Sequence, residues 1–193
     1  MHSRFRRWLA SWTLIALVAG PTFADGRDIV DAARRQVGVT LVYDGAYRRI
    51  AYPGGDVPVD RGVCTDVVIR ALRAARQLDL QRAIHEDMLA HRDAYPRRGG
   101  GRADANIDHR RVPNQMAWFA RQGWSQPAAA DAAAYLPGDI VAWDLGGGLK
   151  HVGIVSAARS ASGVPLVIHN IGAGAREDDI LFRFKVIGHF RLP

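Results

Sequence analysis

The chain has 193 residues, with 26 Lys and Arg against 19 Asp and Glu, 48% hydrophobic residues and a single cysteine. This length fits one domain with a real core, and one cysteine excludes an internal disulfide framework. The formal charge of +7 is not gathered into a basic stripe with interleaved aromatics: Arg97, Arg98 and Arg102 beside Gly99-Gly100-Gly101 make only a short cluster, so no nucleic-acid partner is expected.

At the start of the chain, Arg4, Arg6 and Arg7 precede an uncharged stretch from Trp8 to Gly20 that ends in Pro21-Thr22-Phe23-Ala24. A basic start, a short apolar run and small residues Thr22 and Ala24 at −3 and −1 predict a signal peptide over 1–24, cleaved after Ala24. The apolar run is shorter than the roughly 20 residues of a spanning helix, so no stable membrane anchor is expected. No cysteine follows it that would accept lipid. The expected product is one domain over 25–193, exported to the periplasm or secreted, monomeric, and with its charge reduced to about +4.

Ile29, Val30, Ala33 and Val37 recur at helical spacing and Gly38 follows as a stop, which predicts a short amphipathic helix over 26–37. Thr40-Leu41-Val42-Tyr43 is β-like, and 52–58 is turn-rich loop. From Thr65 onward Val67, Val68, Ala71, Leu72 and Ala75 form one face, with Arg70, Arg73 and Arg76 opposite, as in a packed helix. Further helices are predicted over 80–95 and 113–122, joined by a loop over 96–108. The C-terminal half changes character: 139–143, 151–156, 166–170 and 182–191 read as four strands separated by Gly-rich turns. Helices first and strands after define an α+β layout, N-terminal helices packed on a C-terminal antiparallel sheet or small barrel.

Cys64 falls just where the loop enters the predicted helix at Thr65. A lone thiol in an exported protein has no disulfide partner, and a helix start lowers a thiol's pKa, so Cys64 is the candidate nucleophile. Such a thiol needs a base, held by a third polar group. His151 opens the strand Val152-Gly153-Ile154-Val155, where its ring is expected to project into a cleft and Gly153 leaves room for a close approach. His169 and Asn170 end the next strand, and either side chain could meet the far ring nitrogen of His151.

Gly62-Val63-Cys64-Thr65-Asp66, the stretch from Asn106 to Asn114, Pro137-Gly138-Asp139-Ile140-Val141, His151-Val152-Gly153-Ile154-Val155 and Val167-Ile168-His169-Asn170-Ile171-Gly172 resemble an exported bacterial family catalogued as domain of unknown function 1287. That family is similar to the papain-like NlpC/p60 clan of cysteine peptidases. The resemblance implies a papain-like fold with a cysteine at a helix start, a histidine opening a strand and a polar residue on the next strand. It departs at Val63-Cys64-Thr65-Asp66, where clan members usually carry an Asp-Cys-Ser-Gly run. The implied function is a thiol hydrolase of peptidoglycan or another amide-containing substrate, a peptidase or amidase needing no cofactor. The alternatives are an acyltransferase using the same thiol and a non-catalytic cell-wall or partner-binding module.

Substrate-binding or oxyanion candidates are Tyr43, Thr65, Asp108, His109 and Arg110. The family resemblance makes 106–114 a signature, with Arg110 and Arg111 able to fork onto a substrate carboxylate and buried pairing of arginine with aspartate as the alternative. Tyr43 resembles a clan tyrosine near the oxyanion site, with core packing as the other reading. Asp104, Asn106 and Asp108 lack the ligand run of a calcium loop and suit turn and cap roles, so no metal is expected. Asp66, in the first turn of the helix, is expected to be structural, since its charge opposes a thiolate.

Overall fold

The structure is a computed structural model that describes residues 26–96 and 102–193; the expected signal peptide lies outside the described residues. Among the described residues four α-helices precede the main sheet. α1 (Arg27–Arg34) buries Ile29, Val30, Ala32 and Ala33. α2 (Cys64–Arg76) turns Val67, Val68, Ala71 and Leu72 wholly inward, and each such aliphatic side chain larger than alanine contributes about 1.5–3 kcal/mol on burial. α3 (Leu80–Ala90) begins under an Asp79 side chain that accepts from the Gln81 amide at 3.1 Å. α4 (Val112–Arg121) carries Pro113 in its first turn, where no hydrogen-bond donor is missed. The expected 80–95 helix stops at Ala90. His91 leaves helical geometry, and Asp87 receives Tyr95 Oη, Arg121 and His91, holding the following 3-10 turn Arg92–Ala94 back against its own helix.

β1 (Val42–Tyr43) and β2 (Arg61–Gly62) form a two-residue parallel pair that delivers the chain to α2. The main sheet contains β3 (Ile140–Gly146), β4 (Leu149–Arg159), β5 (Pro165–His169), β6 (Arg176–Asp178) and β7 (Lys185–Phe190) in the order β6-β5-β4-β3-β7, antiparallel throughout. It is an open sheet with β6 and β7 at its edges, so of the two expected forms it is the sheet and not the barrel. β3 returns as β4 through Gly146, Gly147 and Gly148, all at positive φ, which glycine adopts without steric cost.

The two faces follow the period of two along each strand. Ile140, Ala142, Val152, Ile154, Ile168 and Phe190 pack with the helices. Val141, Trp143, Val155 and Val167 form a second, smaller core with Tyr135, Ile180 and Leu181. Arg34 of α1 pairs with Glu177 of β6 at 2.8 Å, tying the first helix to the edge of the sheet. No helix among the described residues is long and apolar enough to cross a membrane.

Candidate active site

Cys64 is the first residue of α2, after an extended Val63. Asp66 fixes this helix start: its Oδ2 accepts from the Val63 amide at 2.6 Å, and its two oxygens take Nε and Nη2 of Arg110 at 2.8 Å each. A carboxylate this near a sulfur opposes thiolate formation, and the buried guanidinium fork offsets that charge. Gly62 makes the geometry possible, since a Cβ there would lie 2.9 Å from Asp66 Oδ2.

The Cys64 sulfur lies against the backbone N–H groups of Val152 on β4, of Thr65 and of Cys64 itself. All three favour the thiolate. Burial outweighs them and pushes the thiol up to about 11. The expectation that the helix start lowers this pKa is therefore corrected: at 5% exposure, loss of water dominates over the helix dipole.

His151 sits opposite Trp143 in the β3–β4 register, its ring tilted against the indole. Its Nε2 meets Nδ1 of His169 at 3.0 Å, the two rings edge to face; one nitrogen carries the hydrogen and the other accepts it. Gly153 permits this approach, because a Cβ there would lie 2.6 Å from Val167 Cγ1 and 3.1 Å from His169 Cβ. Burial holds His151 down to about 3 and lowers His169 as well. Both rings are neutral at pH 7. Nε2 of His169 lies 3.3 Å from Asp178 Oδ2, at ion-pair distance but without hydrogen-bond alignment. Asp178, His169 and His151 thus form a row across β6, β5 and β4. Nothing in the sequence marked Asp178, which stands in a run of charged residues.

No hydrogen bond joins Cys64 to His151 among the described residues, and the sulfur meets the strand one residue further on, at Val152. The ring expected to project into a cleft is 2% exposed, against Trp143 and His169. Asn170 is engaged elsewhere. Its Nδ2 donates to Gly62 O at 3.0 Å and its Oδ1 accepts from Gly172 N, which fastens the end of β5 to the strand entering α2.

Cys64 lines a cleft of about 640 Å³, together with Tyr43, Asp108 and Arg110. The half-exposed Tyr43 has its phenol pushed upward first by burial and then by charge on Cys64 and Asp66. Thr65 is turned inward, its hydroxyl donating to Arg110 O at 3.1 Å, so only its amide faces the sulfur. Asp108 accepts from the Asp104 amide and lies 3.6 Å from His85 Nδ1. His109 is buried away from the cleft, its Nδ1 without a partner and its pKa held at about 4 by burial. Arg110 is committed to Asp66, the second of the two roles open to it in the sequence. Asp104 and Asn106 bond nearby groups, including the amides of Asn106 and Ile50. Among the described residues no group of three or more His, Cys, Asp or Glu is placed to hold a metal ion.

A helix-start thiol packed on an antiparallel sheet, with paired histidines on two adjacent strands, defines an α+β protein with a candidate Cys-His-His site. Residues 30–192 match the family described as Domain of unknown function (DUF1287), and the chain belongs to it. It is 53% identical over 164 residues to the uncharacterized protein YijF of Escherichia coli (strain K12), covering 84% of this chain and 80% of that one. Its fold is similar to that of a crystal structure of an N-acetylmuramoyl-L-alanine amidase from Bacteroides uniformis ATCC 8492. There the TM-score is 0.51 at 15% identity, over 87% of this chain and 98% of the other.

Proposed function

We propose that this chain is an exported thiol hydrolase of NlpC/p60 type that cuts an amide bond in peptidoglycan, as a peptidase or amidase. The observation that carries the reading is the 3.0 Å contact between His151 and His169, beside a helix-start cysteine that lines a cleft. The likeness of fold to a structure named as a muramoyl-alanine amidase supports the substrate class. The predicted leader over 1–24 supports a periplasmic site of action.

In this mechanism the resting pair is a neutral thiol and a neutral imidazole, and the proton moves as substrate arrives. Catalytic contacts are often long in substrate-free sites. His151 takes the thiol proton as the sulfur attacks the carbonyl carbon. The reading assigns the Cys64 amide and Tyr43, which line the same cleft, as donors to the developing oxyanion. Collapse breaks the C–N bond, His151 gives its proton to the leaving amine, and a thioester remains on Cys64. Water, deprotonated by His151, then releases the carboxylic acid and restores the thiol. His169 holds the His151 ring, and Asp178 steadies His169.

Purified peptidoglycan digested with wild type and with Cys64→Ala tests the reading, with products identified by mass spectrometry. Wild type releases fragments with new amino and carboxyl ends and the variant does not. Release by neither protein sinks the hydrolase.

A second reading rests on the thiol's high pKa and the missing Cys64–His151 hydrogen bond: a binding module that has kept the scaffold. It requires that Cys64 labelling by iodoacetamide stay slow with peptidoglycan fragments present and that Cys64→Ala bind them as wild type does. Fragment-accelerated labelling that is lost in His151→Ala excludes it.

A further inference from the structure

Among the described residues five cations line the cleft beside Cys64, and their partners divide them into two groups. Arg110 is held by Asp66, and Lys150 by Asp144 at 2.5 Å. Arg92, in the 3-10 turn after α3, Arg102, and Arg111, just before α4, all line the cleft, are exposed, and make no ion pair with any described carboxylate.

The two acidic residues on the wall already have partners. Asp104 accepts from Tyr47 Oη at 3.0 Å and from the amide and side chain of Asn106. Asp108 accepts from the Asp104 amide and faces His85. The wall therefore presents three guanidinium groups without a described carboxylate partner, from three separate segments, around one space that Cys64 also lines. Their summed field favours anions in the cleft, and the planar fork of each matches a carboxylate with two parallel hydrogen bonds.

We infer that the cleft selects an acidic peptide, one with free carboxylates close to the amide bond delivered to Cys64, and that Arg92, Arg102 and Arg111 read those carboxylates. The inference rests on the peptidoglycan-hydrolase reading for the identity of the scissile bond. Its recognition step is independent of turnover. A peptide substrate supplies its negative charge as carboxylate, which converts the arginine wall into a rule: blocking those carboxyl groups as amides removes the recognition.

The test is binding to full-length Cys64→Ala by calorimetry, using a peptidoglycan stem peptide with its carboxyl groups free and the same peptide with every carboxyl group amidated. The free acid binds about 10-fold or more tightly than the amidated form, a preference that fits charge-assisted hydrogen bonds. Added salt reduces that preference. Arg92→Gln and Arg111→Gln, both exposed and checked for an unchanged melting temperature, weaken the free acid and leave the amidated peptide alone. Equal binding of the two peptides, binding of neither, or arginine substitutions that weaken both to the same extent overturn the inference. Should wild type release nothing from peptidoglycan, the hydrolase reading falls, while a free-acid preference in Cys64→Ala would still stand.

Discussion

Gly153→Ala is the sharpest perturbation of the histidine pair, because it adds one methyl group at a position where the distances are tight. The new Cβ would lie 2.6 Å from Val167 Cγ1, 3.1 Å from His169 Cβ and 3.1 Å from Ile168 O. Real carbon pairs settle near 3.5–4.0 Å, so β5 must move away from β4 by several tenths of an ångström or more. Overpacking of this kind costs about 1–3 kcal/mol. For a chain of this size that is a fall in melting temperature of roughly 2–12 °C, at about 2–4 °C per kcal/mol. Activity suffers more than stability, because the displaced atoms carry the 3.0 Å His151–His169 contact, and a misplacement near 1 Å costs about 10²-fold in rate. The double variant Gly153→Ala/Val167→Ala separates the two effects. It removes the closest clash and recovers part of the melting temperature, while the contact with His169 Cβ remains and the rate stays low. Melting curves with muropeptide-release rates provide the assay. A single variant with wild-type melting temperature and wild-type rate would refute the close-approach argument.

Arg110→Ala leaves the Asp66 carboxylate buried without its guanidinium and is expected to cost about 3–5 kcal/mol in urea unfolding, with Arg110→Lys intermediate because a single ammonium cannot replace the fork. Asp178→Asn removes the charge behind His169. It should lower kcat with little change in KM, by less than the 10²-fold or more expected from losing a proton-transfer partner outright; an unchanged kcat would show that Asp178 does not position His169. Acid should destabilise the fold. His109 and His151 have folded pKa values of about 4 and about 3, below the ordinary value, and His169 is shifted the same way. The unfolded chain therefore takes up protons first, and stability that is full above pH 6.5 falls as pH drops toward 4. The slope is at most about 1.4 kcal/mol per pH unit for each histidine. Melting temperatures between pH 7.5 and 4 check this, and His109→Gln should show the shallower curve.

The elements that could be read from the sequence were those with a strong period. α2 was legible because Val67, Val68, Ala71 and Leu72 repeat every three to four residues, and β4 because a run of small and apolar residues follows a glycine turn. β6 was not: Arg176-Glu177-Asp178 has no apolar face, and it is a strand only because β5 offers an unpaired edge. The same blindness hid Asp178, whose place beside His169 is set by pairing across strands 9 residues apart in the chain. The choice between His169 and Asn170 was open for a related reason. His169 ends β5 and Asn170 follows it, so one side chain reaches His151 and the other Gly62, and the register that decides between them is tertiary.

The charge around Cys64 shows why residue types alone misjudged the thiol. Asp66 was expected to be structural, and it is one half of a buried pair that ends at Arg110; the arginine that seemed free to hold a substrate carboxylate is the group that neutralises it. That commitment leaves the proposed carboxylate recognition to Arg92, Arg102 and Arg111, which pair with no described carboxylate. It also leaves burial as the largest influence on the sulfur. In the proposed mechanism a thiol and imidazoles that are all held neutral by burial separate no charge until a carbonyl carbon is within reach. Replacing Asp66 with Asn tests the balance. Removing its charge takes away one cause that raises the thiol pKa, but it also strands Arg110. If burial dominates, iodoacetamide labelling of folded Asp66→Asn at pH 8 should rise only a few-fold over wild type; a rise of 100-fold, the scale of a two-unit fall in pKa, would mean that the carboxylate and not burial sets the thiol.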